Sequence, residues 1–222
     1  HVLRFFPEYV KVKGLVQAGT IGHPVMVRAV RTGSIPPWGI DSWFMDQSKS
    51  GGVAADLAIH DIDFLRWCLQ DEVESVFALT HRRSTVKTFV EDHALISLEF
   101  GRGTVAHVEA SWAMPTLLPF TTGLEVEGPL GRLSVDSRST SPLTIVDRNG
   151  ARYLSPQTRP WVESMPFPID PFYDEIQHFV DCVLQDRRPI SDGPESRRSL
   201  EVAIAAVRSA ADGSPISLQR EA

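Results

Sequence analysis

The chain has 222 residues, with 42% hydrophobic and 23% charged side chains. It is therefore globular in composition rather than disordered, and large enough to bury a core without disulfide or metal staples. A net charge of −6 argues against general nucleic-acid binding, and no apolar run reaches the roughly 18 residues of a membrane helix.

The two cysteines, Cys68 and Cys182, lie far apart and form no disulfide or zinc pattern. No signal peptide is readable, so a reducing cytoplasm is expected.

Taken in chain order, a helix is predicted over Glu8 to Gln17, started by Pro7 and ended near Gly19. Pro24 to Ser34 reads as a strand with one wet face, its valines alternating with Met26, Arg28 and Arg31. Ile35 to Gly51 is rich in Pro, Gly and Ser and holds Trp38, Trp43 and Phe44. A loop of this length is uncommon without a function.

One helix is predicted over Gly52 to Leu69. Six strands follow, at Val73–His81, Asp92–Phe100, Thr104–Ala113, Gly123–Glu127, Gly131–Asp136 and Leu143–Val146. Gly101-Arg102-Gly103, Pro129 to Gly131 and Asp147 to Gly150 read as hairpin turns, so these strands pair antiparallel. Pro156 to Pro171 is expected to wrap the surface. Two amphipathic helices close the chain, one over Phe172 to Leu184 and one from Pro194 to Gly213, before a last short strand. The fold class is α+β, a large open, mainly antiparallel sheet with helices mainly on one face. The other face is a candidate subunit interface.

The chemistry concentrates in Gly51 to Asp63. On one continuous helix, Asp56, His60, Asp63 and Trp67 form a stripe, with the imidazole between two carboxylates. A carboxylate beside an imidazole raises its pKa, which suits general acid or base work. The glycine pair Gly51 and Gly52 permits close approach at the helix start. The same spacing also suits a surface ion pair, and Asp, His and Asp can ligate zinc, the basis of a metal-dependent hydrolase reading. Gly101 to Ala106 loosely fits a dinucleotide fingerprint but joins two strands and opens no helix. Trp112, at a strand end, reads as a pocket wall or as core.

The run Gly51 to Leu65, GGVAADLAIHDIDFL, resembles a segment of the glucose–fructose oxidoreductase / inositol dehydrogenase / MocA (Gfo/Idh/MocA) family. Arg4-Phe5-Phe6-Pro7, Trp43, Ser111-Trp112 and the tail from Phe172 to Ile216 extend the likeness over nearly the whole chain. The resemblance implies the C-terminal domain of an NAD- or NADP-dependent oxidoreductase acting on a sugar, polyol or related compound. Residues 1–7 would be the remnant of a junction with an absent dinucleotide-binding domain. Residues 8–222 would be the substrate-binding and oligomerisation domain.

In that family frame His60 is the acid/base residue, and Asp56 binds substrate or supports His60. Asp63 orients the helix, while Trp38, Trp43 and Trp112 line the sugar site. No metal is expected. The cofactor is expected on the missing domain, so the chain alone should be inactive. A homodimer or homotetramer through the sheet is expected. A non-catalytic scaffold or sugar sensor on the same fold is the alternative.

Overall fold

The computed structural model describes residues 1–36, 39, 42–82, 90–139, 142–154 and 170–218. Trp38 and most of the Pro156–Pro171 segment lie outside them. Among the described residues no helix is long and apolar enough to cross a membrane.

A 3₁₀ turn at Val2–Phe5 leads into α1 (Pro7–Gln17) and β1 (Met26–Thr32). The long loop contains a 3₁₀ turn at Trp43–Met45 and a short α2 (Gln47–Ser50). Then come α3 (Gly52–Asp56), α4 (Ala58–Leu69), β2 (Val73–His81), β3 (His93–Phe100), β4 (Val105–Ser111) and β5 (Thr121–Gly128). The chain continues through β6 (Gly131–Asp136), β7 (Leu143–Asp147), β8 (Gly150–Leu154), α5 (Pro171–Leu184), α6 (Gly193–Asp212) and β9 (Ile216–Ser217).

The strands form one open sheet in the order β8-β7-β6-β5-β1-β4-β3-β2-β9. The α+β architecture expected from the sequence is the one observed. Two details differ. β1 lies parallel to β4, the one parallel pair among the described strands. Residues 33–104, seventy-two in all, separate them, ample for the crossover that a parallel pair needs. β8 extends the sheet beyond the strands read from the sequence, through the turn at Asp147 to Gly150.

Register explains the core. Directly paired residues share a face, so one row runs Ile216, Val76, Leu98, Ala106, Val27, Val126, Leu133, Ile145 across eight strands. All but Ile216 are buried, and this face carries α1, α4 and α6. The opposite face carries Phe77, Ser97, His107, Arg28, Glu125 and Ser134 in a mixed row. Among the described residues no helix covers it, and Leu79 and Leu95 are each 48% exposed.

The expected wet face of β1 is corrected at Arg31. Val27, Ala29 and Arg31 are two apart and share the helix-covered face, so Arg31 is buried at 6% exposure. The predicted Gly52–Leu69 helix is also corrected. It divides at Leu57, whose φ of −101° and ψ of −51° stay in the helical region while assigned helix stops for that one residue.

Candidate active site

The parallel pair sends the C-terminal ends of β1 and β4 to the same edge of the sheet, and the α3–α4 segment packs there. Gly51 and Gly52 both have left-handed backbone, at φ 71° and 68°. Gly51 ends α2 and caps α3. A Cβ on Gly52 would come within 3.0 Å of the Glu91 carbonyl and 2.8 Å of the Gln47 amide oxygen. The close approach expected at this glycine pair is therefore made by the protein's own chain. Val53 N–H donates to Glu91 O, and Glu91 N–H donates to the Gln47 side chain. These bonds fix the start of α3.

The carboxylates of this segment have separate fates. Asp61 accepts from Arg31 Nε at 2.8 Å and from Nη2 at 3.0 Å, with both residues buried. Asp63 is fully buried and accepts from Arg4 at 2.9 and 2.7 Å and from the Ser199 hydroxyl at 2.9 Å. Arg4 also donates to Ile190 O. Asp63 thus ties the N-terminal turn, α4 and α6 together. Trp67, the far end of the expected stripe, has the Lys13 ammonium 4.7 Å from its ring.

Asp56 is half-buried and has no hydrogen-bond or ion-pair partner among the described residues; burial raises its pKa. His60 Nδ1 is buried and also lacks a partner. Leaving such an atom unsatisfied costs about 1–3 kcal/mol. Burial lowers the His60 pKa, and the Arg31 cation lowers it further, against opposing pulls from Asp61 and Asp63. The expectation of an imidazole raised by flanking carboxylates is corrected. Desolvation outweighs the carboxylates, and the nearest acid, Asp61, is already neutralised by Arg31. A neutral imidazole at neutral pH is a proton acceptor.

The stripe of Asp56, His60 and Asp63 does not act as a unit, because Asp63 is committed to Arg4. Among the described residues no group of three His, Cys, Asp or Glu side chains is placed to hold a metal ion.

Aromatic side chains border the same sheet edge. Trp112 is 3% exposed and packs on Phe44 with ring centroids 4.2 Å apart. It is a core residue that supports the loop. Trp43 stands edge-on to Phe44 and is 53% exposed. Phe120 covers Gly33, and the Arg31 guanidinium lies 6.0 Å from its ring.

Sequence reading missed Arg31, Asp61, Arg4 and Tyr9. Period-2 counting from Val27 would have placed Arg31 inward. No local signal marks Arg4 as the partner of Asp63, 59 positions away. Tyr9 is buried with its hydroxyl unpaired, and burial followed by the Asp61 charge pushes its pKa up to about 12.

The described residues do not fit a dinucleotide cradle, which needs a glycine turn between a strand and a helix N-terminus. The loosely matching glycines at 101 and 103 turn from β3 into β4 instead.

Residues 9–134 match the model of a protein family described as the GFO/IDH/MocA C-terminal domain. The chain is 31% identical to scyllo-inositol 2-dehydrogenase (NAD(+)) of Bacillus subtilis, covering 97% of this chain and 60% of that protein. It is 26% identical to myo-inositol 2-dehydrogenase of Thermotoga maritima, covering 97% and 62%. The aldose-aldose oxidoreductase of Caulobacter crescentus superposes with a TM-score of 0.81 at 22% identity, over 98% of this chain and 62% of that one. At that identity the likeness establishes the fold alone. The chain spans about three-fifths of the length of these relatives.

Proposed function

As the chain belongs to the GFO/IDH/MocA family, we propose that it is the substrate-binding domain of an NAD- or NADP-dependent oxidoreductase acting on a sugar or polyol hydroxyl. The pairing pattern around α3 and α4 carries this reading. Asp61 and Asp63 are committed to buried arginines, whereas the Asp56 carboxylate and His60 Nδ1 have no partner among the described residues. Polar groups held unpaired at a half-buried position are suited to a ligand that brings its own hydroxyls.

In this reading His60 is held neutral by burial and by Arg31, and its imidazole takes the proton of the reacting hydroxyl. Asp56 accepts a hydrogen bond from that hydroxyl or its neighbour and orients it. Exposed Trp43 offers an apolar ring against the sugar face. The nicotinamide supplies the hydride acceptor, held by a dinucleotide-binding domain preceding residue 1. Without that domain the chain turns nothing over. The names of the inositol dehydrogenases among the relatives support a polyol substrate.

The uncovered sheet face, with Phe77, Leu79 and Leu95 beside Arg28 and His107, supports assembly into a homodimer or homotetramer, measurable by light scattering.

The deciding experiment is His60→Ala in the full-length protein. Turnover of the polyol substrate should fall by about two to four orders of magnitude, the usual worth of a general base, with the fold intact by circular dichroism. Oxidation at the parental rate would remove His60 from the role.

A further inference from the structure

The Asp56 carboxylate has no partner among the described residues, so it is aimed by the backbone that carries it. That backbone is weak by itself. Helix α3 is five residues long, follows the left-handed Gly51, begins at the left-handed Gly52 and ends at Asp56. Helices this short do not hold in isolation, and glycine has the widest backbone freedom of any residue. Val53 and Ala54 are buried, and α3 packs on α6. Apolar burial is non-directional, so it sets the depth of the helix but not its entry angle.

Hydrogen bonds are directional and set that angle. Gln47 and Glu91, 44 positions apart, meet beside Gly52. Glu91 N–H donates to Gln47 Oε1 at 2.9 Å, and Gln47 Nε2 donates to Glu91 Oε2 at 3.4 Å. Glu91 O then takes the Val53 N–H at 3.0 Å. That amide lies in the first turn of α3, where no helical carbonyl can reach it. Both halves of this brace are anchored in turn. Gln47 opens α2, whose start is capped by the Asp46 carboxylate accepting from Ser48 N–H at 3.0 Å. Asp92, the residue after Glu91, accepts from Trp112 N–H at 2.7 Å, just past the end of β4. The brace ties the start of α3 to the sheet edge, about one helical turn before Asp56.

We propose that Gln47 is a positioning residue for the reaction: through Glu91 its amide fixes α3 so that the Asp56 carboxylate meets the substrate hydroxyl. This rests on the reading above that Asp56 orients that hydroxyl. Gln47 acts through Glu91 and Val53, not by touching substrate. A displacement of about 1 Å in an orienting group costs about a hundredfold in rate, so a brace remote from the chemistry has a measurable effect on turnover.

The test uses the full-length protein, with cyclic polyols and aldoses and NAD or NADP as probes. Gln47→Met keeps the length of the side chain and removes both of its hydrogen bonds. The melting temperature should stay within about 4 °C of the parent. Amide hydrogen exchange over residues 53–56 should speed up by about fivefold or more, and kcat should fall by about ten- to a hundredfold. In the Asp56→Ala background the same substitution should cause no further fall in the residual kcat, because a carboxylate that is gone cannot be misplaced. Gln47→Glu alone sets two carboxylates against each other and should lose turnover likewise. Adding Glu91→Gln exchanges donor and acceptor across the same contact, and should restore most of the turnover and the protection of α3.

Parental kcat in Gln47→Met would overturn the inference, while a loss in Asp56→Ala would leave the functional reading intact. An equal fold-loss from Gln47→Met with and without Asp56 would make Gln47 a general stability residue and overturn it too. So would failure of the exchanged pair to recover either readout. Parental turnover in Asp56→Ala, or no turnover of any probe by the parent, would overturn the functional reading and the inference with it.

Discussion

The Arg31 guanidinium meets the Asp61 carboxylate at two points, 2.8 and 3.0 Å apart, with both side chains buried between β1 and α4. His60 is the residue before Asp61, so this pair anchors the turn of helix that presents the imidazole and also sets a cation near it. Burial opposes the Arg31 charge, but the Asp61 carboxylate outweighs it and the guanidinium pKa stays above its ordinary value.

Removing one member of this pair should cost far more than removing both. Arg31→Met leaves a buried carboxylate uncompensated and should destabilise the fold by about 3–5 kcal/mol. The double variant Arg31→Met with Asp61→Leu should recover most of that loss. Urea denaturation of the parent, both single variants and the double variant measures it, and a double-variant loss equal to the sum of the two single losses would show that the charges are not coupled.

Neighbouring acids should separate cleanly. Asp63→Ala strands the buried Arg4 and should lose about 3–5 kcal/mol. Asp56→Ala removes no partner and should stay within about 0.5 kcal/mol of the parent, while lowering turnover in the full-length protein. Thermal melts of both variants, with kinetics on the second, decide it. A large stability loss in Asp56→Ala would mean that the carboxylate holds structure.

His60 gives a pH signature. Its folded pKa lies below the ordinary value of 6.5 because of burial and Arg31. The unfolded chain therefore takes up a proton at higher pH than the folded one. The His60 contribution to stability is complete above pH 6.5, and it is lost as pH falls through the depressed folded value. Stability measured from about pH 7.5 to about pH 5 should fall less steeply in His60→Asn than in the parent. Identical slopes, or an imidazole that titrates above 6.5 by NMR, would contradict the neutral base.

The two tryptophans of the aromatic cluster should behave oppositely. Trp112→Ala opens a cavity against Phe44 and should cost about 3–5 kcal/mol. Trp43→Ala, at 53% exposure, should cost under about 1 kcal/mol and act on substrate affinity in the full-length protein. Chemical denaturation paired with KM separates a core role from a binding one.

Local signals located most elements, because alternation, turn glycines and helix-start prolines act over a few residues. Gly213 ends α6 with φ 65°, and Pro194 stands in its first turn. Gly103 turns β3 into β4 as read. The split at Leu57 carried no signal, since its residues favour helix throughout. The inward face of Arg31 was legible in principle from the spacing of Val27 and Ala29, but a charged residue on a buried face makes sense only once Asp61 is seen opposite.

By itself the sequence determined the class of the fold, the run that holds His60 and Asp56, and the family resemblance. The first two rest on periodicity and on residues close together in the chain, and the resemblance rests on short motifs spread along nearly all of it. Tertiary structure decided what each charged group does. Asp63 binds Arg4 and Asp61 binds Arg31 across 59 and 30 positions, and burial rather than the neighbouring carboxylates sets the His60 protonation state. Those outcomes depend on which groups lose water together, and chain order alone does not specify that.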